Sequence, residues 1–240
     1  MHFIKRFLIF TFGCISYNRY NGFNKLQLKG TEFIKDLPDT KVLFVSNHQT
    51  YFADVFAMFH VFCSVKNGFI NSIKNPIYLL NPKVNLYYVA AKETMDKGLI
   101  TKLLTYSGGV TVKRTWKKVD KKINSTVDIL SEITRMGIAL NDGWLITFPQ
   151  GTTREFAPGR RGIVHVIRKY NPIVVPIVID GFKKAYDKKG IRIKKKGVLN
   201  KMKFKKPIQL DFKKETPDNI MEIIMDAIEQ SPKYYIKKNL

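Results

Sequence analysis

The segment SNHQTYFAD, Ser46 to Asp54, sets an imidazole six positions before a carboxylate, between a short apolar run and a stretch with helical spacing. A neutral imidazole can take a proton from an alcohol near neutral pH, and a carboxylate on its other nitrogen fixes the tautomer and supports the charged ring that results. His48 is the one histidine with such a carboxylate, Asp54, close by in a short segment. His2, His60 and His165 lack both a neighbouring acid and metal-ligand spacing, so they read as structural. Strand ends in open α/β sheets open into ligand crevices, and a helix start offers unpaired backbone N–H groups, so the segment is well placed for chemistry. On these residues alone, a simple capping role for Asn47 and His48 stays open.

Three later segments add groups of other kinds. GGVTVKR, Gly108 to Arg114, ends on Arg114, whose planar fork can donate two parallel hydrogen bonds to a phosphate. FPQGTTRE, Phe148 to Glu155, follows an apolar run and carries Gln150, Gly151, Thr152 and Arg154. VVPIVIDG, Val174 to Gly181, is an apolar strand pattern interrupted by Pro176, which by itself predicts a sheet edge or a bulge. GxGxxG, Walker A and HExxH patterns are absent. Cys14 and Cys63 have no CxxC spacing, which predicts two free thiols rather than a zinc site or disulfide framework.

Taken in order, these four segments resemble the four motifs of the glycerolipid acyltransferase family that includes lysophosphatidate acyltransferases. The first motif there is Asn-His, a Ser or Thr, and an Asp after four intervening residues; here five intervene, Gln49 to Ala53. The second ends in an Arg matched by Arg114. The third is Phe-Pro-Glu-Gly-Thr-Arg, against which this chain has Gln150 for Glu and an added Thr153 before Arg154. The resemblance spans Val42 to Gly181. It implies His48 as general base and Asp54 as its partner, with Asn47, Thr50, Arg114, Gln150, Gly151, Thr152 and Arg154 serving the substrate site, and no metal or cofactor.

The elements that must position these groups alternate. Apolar runs at 42–46, 86–91, 109–113, 144–148 and 173–179 are separated by helical patterns after Tyr51, at 97–106 and at 118–141, with a closing helix at 218–230. Runs without clean alternation, spaced by helices, predict an α/β fold whose sheet is covered on both faces. With the resemblance, this becomes one glycerol-phosphate acyltransferase-like domain, residues 31–240, preceded by a membrane-interface helical segment, residues 1–30. The apolar run Phe7 to Ile15 is shorter than the roughly 20 residues a spanning helix needs. It predicts a helix lying in the interface, with a buried first helix as the alternative.

The charge is the compositional outlier. Lys and Arg total 42 against 19 acidic residues, a net charge of +23. Such an excess favours a polyanionic partner, and the basic residues concentrate between Lys183 and Lys214. No nucleic-acid motif accompanies them, so an anionic membrane surface is the expected partner. The resemblance then implies acyl transfer from acyl carrier protein or a coenzyme A thioester to the second hydroxyl of lysophosphatidate, at the cytoplasmic face of the cell membrane. Other lysophospholipid acceptors, glycerol phosphate, or a non-enzymatic basic membrane- or nucleic-acid-binding module are the alternatives.

Overall fold

A strand buried on both faces must be apolar at every position, and VLFVS at 42–46 is nearly so. In a computed structural model, which describes residues 2–95, 105–112 and 126–239, this segment is the middle of a sheet. Its strands among the described residues are β1 (Lys25–Lys29), β2 (Val42–Ser46), β3 (Leu86–Ala91), β4 (Gly109–Val112), β5 (Trp144–Thr147), β6 (Ile173–Asp180) and β7 (Leu199–Phe204). They lie in the order β1-β7-β6-β2-β5-β3-β4. All pairs are parallel except β6 with β7.

The two faces pack separate cores. Phe44, Trp144, Ile146, Val175 and Ile177 point to one, where helices α1 (His2–Asn21) and α2 (Ala53–Lys66) lie. Leu43, Val45, Leu145 and Val174 point to the other, beneath α3 (Thr126–Asp142), α4 (Gly162–Tyr170) and α5 (Pro217–Ala227). A last helix, α6, spans Pro232–Asn239. The expected α/β class and central covered sheet are thus what the chain forms. The helical patterns at 97–104 and 118–125 lie outside the described residues, whereas 126–141 falls within α3.

Two features differ from the sequence reading. Residues 25–29, grouped there with the N-terminal helical segment, form edge strand β1 and pair in parallel with β7. Pro176 sits in an interior strand, between β2 and β7, rather than at an edge or bulge. The reason is local. The antiparallel ladder with β7 runs from Ile177–Phe204 to Asp180–Lys201, so Pro176 lies just past its end. There its carbonyl accepts from Lys205 N–H at 2.9 Å, and the missing N–H falls where the antiparallel ladder stops.

Helix α2 is buried around nearly its whole circumference, as a helix between a sheet and another helix must be. The outer helix is α1, which buries Ile9, Gly13, Ser16 and Tyr20 and leaves Ile4, Phe7 and Ile15 in solvent. Inside this contact His60 bridges three elements: Ser16 Oγ lies 2.9 Å from Nε2, and Tyr78 Oη of the 3₁₀ turn Pro76–Leu79 lies 2.9 Å from Nδ1. Burial pushes its pKa down to about 3. The folded chain therefore keeps His60 neutral in acid that protonates the unfolded chain. Stability contributed in this way is intact above the ordinary histidine range and declines as pH falls below about 6.5, by about 1.4 kcal/mol per pH unit until the folded-state pKa is reached. Urea unfolding at stepped pH should show this slope, and His60→Phe should be less stable at pH 7 yet shallower in its acid dependence by about that amount. Parallel slopes for the two proteins would refute the assignment.

Candidate active site

β2 ends at Ser46 and α2 begins at Ala53, so residues 47–52 form the loop that carries His48. Each end of that loop is fixed by a distant segment. The Asn47 side chain reads the backbone of Ile179 as a strand would, Nδ2 donating to its carbonyl at 2.9 Å and Oδ1 accepting from its N–H at 2.8 Å. Gln49 Oε1 accepts from Phe182 N–H at 2.8 Å and Lys183 N–H at 3.3 Å. Tyr51 and Phe52 N–H donate to the carbonyls of Lys188 and Lys189 at 3.1 and 3.0 Å. The 187–192 turn making that contact is tight: Gly190 has φ +77°, and a Cβ there would come within 2.5 Å of Ala53 N. Partial desolvation pushes the Asp187 carboxyl up, but backbone N–H groups of residues 189–192 outweigh it and hold Asp187 below the usual carboxylate range.

This bracing answers the spacing question raised by the fifth intervening residue. The added residue is taken up in the loop, and Asp54, in the first turn of α2, meets His48 with Oδ2 3.0 Å from Nδ1. Asp54 is fully buried and also accepts from Gln49 N–H (2.6 Å), Thr50 N–H (3.0 Å to Oδ2) and Thr50 Oγ1 (2.7 Å). Backbone N–H groups only donate, so Oδ2 is an acceptor and the proton between it and His48 resides on Nδ1. Nε2 is then the basic nitrogen, and the His48 ring lines a cavity. Its face stacks on Phe148 with centroids 3.9 Å apart and planes at 23°.

The cavity measures about 690 Å³, within the range of small-molecule sites, and reaches from His48 along the C-terminal ends of β3 and β5 to the first turn of α4. Gln150, Gly151 and Thr152 line it with His48. Asn47, Thr50 and Asp54 stand behind His48, their side chains bonded to protein. Arg154 is exposed and is not among the lining residues, while Arg114 lies outside the described residues.

Gln150 is explained by what surrounds it. Gln230 Oε1 accepts from Phe156 N–H at 2.9 Å, which sets that amide's orientation, and Gln150 Nε2 donates to the same oxygen at 3.2 Å and to the Ala157 carbonyl at 2.9 Å. Both partners are acceptors. A glutamate carboxylate would face them with no proton to give, so this loop is built for an amide.

The sequence reading passed over Gln49, Phe148's stacking and Arg160. Arg160 lines the cavity and clasps the Phe148–Thr152 turn, its N–H donating to Pro149 O at 2.9 Å and its Nε to Gln150 O at 3.1 Å. The signal available was GRRG, 159–162, a basic pair between glycines immediately before a helical pattern. Among the described residues no group of three or more His, Cys, Asp or Glu side chains is placed to hold a metal ion.

Comparison with known proteins gives the same direction. The family model described as Acyltransferase matches residues 25–180. A 1-acyl-sn-glycerol-3-phosphate acyltransferase of Cocos nucifera is 21% identical over 223 residues, covering 90% of this chain and 61% of that protein, so the chain spans about three-fifths of that relative's length. The crystal structure of the 1-acyl-sn-glycerophosphate (LPA) acyltransferase PlsC from Thermotoga maritima has the same fold, with a TM-score of 0.56 at 17% identity, covering 92% of this chain and 77% of that one.

Proposed function

This chain belongs to the acyltransferase family, and on that premise we propose that it transfers a fatty acyl group from a thioester to the free hydroxyl of lysophosphatidate. The observation carrying the mechanism is the His48–Asp54 pair at 3.0 Å with Nε2 as the ring's basic nitrogen. The acceptor hydroxyl gives its proton to Nε2 as its oxygen attacks the thioester carbonyl. The new C–O bond forms, the C–S bond breaks, and the leaving thiolate takes the proton from the imidazolium, so no covalent acyl-enzyme is needed. Asp54 stabilises the imidazolium between these two transfers. The acceptor is the one that both relatives' names specify, and Arg114, by its place in the second motif, is assigned to the headgroup. Acyl carrier protein and coenzyme A are the donor carriers that fit; both are anionic, which suits a chain of net charge +23.

The membrane surface is proposed on similar grounds. Ile4, Phe7 and Ile15 of α1 are about 60% exposed, and Ile77 and Leu80, on the turn packed against α1, are exposed to a similar degree. No described helix is long and apolar enough to cross a membrane, so α1 is assigned to the interface of the cytoplasmic leaflet, with lysines of 183–214 drawn to anionic headgroups.

The test is thiol release from acyl-CoA or acyl carrier protein by the purified chain with a panel of acceptors. Release that depends on lysophosphatidate, with phosphatidate as product, is the expected outcome. Lipid binding without thiol release would instead make the protein a basic membrane-binding module.

A further inference from the structure

We propose that Gln150 binds the acyl donor, its side-chain oxygen accepting an amide N–H of the thioester's pantetheine arm, and that Gln230 is the positioning residue that presents this oxygen to the cavity. The proposal rests on the acyl-transfer reading above and gives Gln150 to the donor rather than to the lipid acceptor.

The two side-chain amides form a relay whose polarity is set by backbone groups. Phe156 N–H can only donate, so it fixes Gln230 Oε1 at 2.9 Å; the Glu229 carbonyl can only accept, so it fixes Gln230 Nε2, also at 2.9 Å. Gln150 Nε2 then gives one hydrogen to Gln230 Oε1 at 3.2 Å and the other to the Ala157 carbonyl at 2.9 Å. Both N–H bonds of Gln150 are spent on protein. Its Oε1 bonds to no described group, and although Gln150 is only 2% exposed, it lines the cavity and the oxygen is open to it. A carbonyl oxygen so nearly buried is costly to leave without a donor, which marks the place of a ligand N–H or O–H.

The substrates differ in the hydrogens they can offer. Lysophosphatidate has one hydroxyl, and the mechanism above gives it to His48 Nε2. Its ester only accepts, and its phosphate, with a second pKa of about 6, presents oxygens to cations rather than hydrogens to a carbonyl. The thioester arm common to coenzyme A and acyl carrier protein carries two amide N–H groups and, farther from the sulfur, one hydroxyl. The nearer amide nitrogen is four bonds from the reacting carbonyl carbon. On the protein side, Phe148 stacks on the His48 ring with centroids 3.9 Å apart, and the two peptide steps from Phe148 to Gln150 cover at most about 7 Å. The nearer amide therefore matches, with the reacting carbonyl at His48 and the N–H at Gln150.

The experiment measures kcat/KM of the full chain, with lysophosphatidate as acceptor, for palmitoyl-CoA and two analogues: one with the amide nearest the sulfur replaced by an ester, the other with the distal amide replaced. Wild-type protein should use the first analogue at least about tenfold less well, because an ester oxygen meets Gln150 Oε1 where an N–H is needed, and the second within about threefold of palmitoyl-CoA. In Gln150→Leu the discrimination should shrink to within about threefold, through loss on the natural donor. Gln230→Leu, which frees the Gln150 amide to turn over, should fall between wild type and Gln150→Leu. Gln230→Glu, which still accepts from Phe156 N–H and Gln150 Nε2, should keep most of the discrimination. Wild-type protein indifferent to the first analogue, or discriminating against the second instead, overturns the assignment without any variant having to fold. So does a Gln150→Leu protein that slows all three donors equally, since the residue then only shapes the loop. Absence of thiol release from palmitoyl-CoA with lysophosphatidate present is a different result, which overturns the acyl-transfer reading and this proposal with it.

Discussion

His48→Ala should lower kcat/KM for acyl transfer by about 10³-fold or more while the protein remains folded. Loss of a positioned general base alone is worth about 10²- to 10⁴-fold, and in the proposed mechanism the same ring both receives the acceptor's proton and returns it to the leaving thiolate. The fold should tolerate the change, because Asp54 keeps the donors of Gln49 and Thr50 when the imidazole is gone. The rest of the cavity lining is untouched, so binding of acyl-CoA should persist. The measurements are steady-state thiol release and near-UV circular dichroism on the same preparation. Turnover near the wild-type value would end the general-base assignment.

Asp54→Asn should cost about 10²- to 10³-fold, chiefly in kcat. The amide can keep its oxygen where Oδ2 now accepts from His48 Nδ1, Gln49 N–H and Thr50 N–H, and place its NH₂ where Thr50 Oγ1 can turn to accept. In that orientation the tautomer survives, but the charge that stabilises the imidazolium is lost. KM for the acceptor should therefore change little and the unfolding midpoint should drop only modestly. A loss carried by KM alone, with kcat intact, would show that Asp54 shapes the loop and contributes nothing to proton transfer.

Sequence pattern was informative where a segment's environment is uniform. VLFVS and LYYVAA match β2 and β3 residue for residue, because strands covered on both faces must be apolar throughout. KLQLK at β1 was missed because an edge strand of five residues with lysines at both ends looks like any solvated link; those lysines also discourage pairing with other chains. Pro176 misled for an opposite reason. The rule against interior proline concerns an N–H inside a ladder, and the register, which no local pattern reveals, puts Pro176 one residue beyond the β6–β7 ladder.

The site divides the same way. His48 and Asp54 were visible because their chemistry is local, six positions apart. The partners of Asn47 and Gln49 lie 132 and 133 positions away, and nothing in either segment announces the other. Arg160 was overlooked for want of a fold: its hold on the Phe148–Thr152 turn comes from a return of the chain that no local pattern announces, while Arg154 is exposed.

Those long-range clasps also set an order of events during folding. The loop that holds His48 is pinned by Ile179, by Phe182 and by the turn at 187–190, so it gains its final shape only after the chain through Gly190 has been made and β6 has docked beside β2. Closing loops of that length is among the slower steps open to a small domain. A nascent chain can therefore expose the apolar face of α1, complete within the first 21 residues, well before it can transfer an acyl group. If α1 lies in a membrane interface as proposed, recruitment to that surface precedes competence.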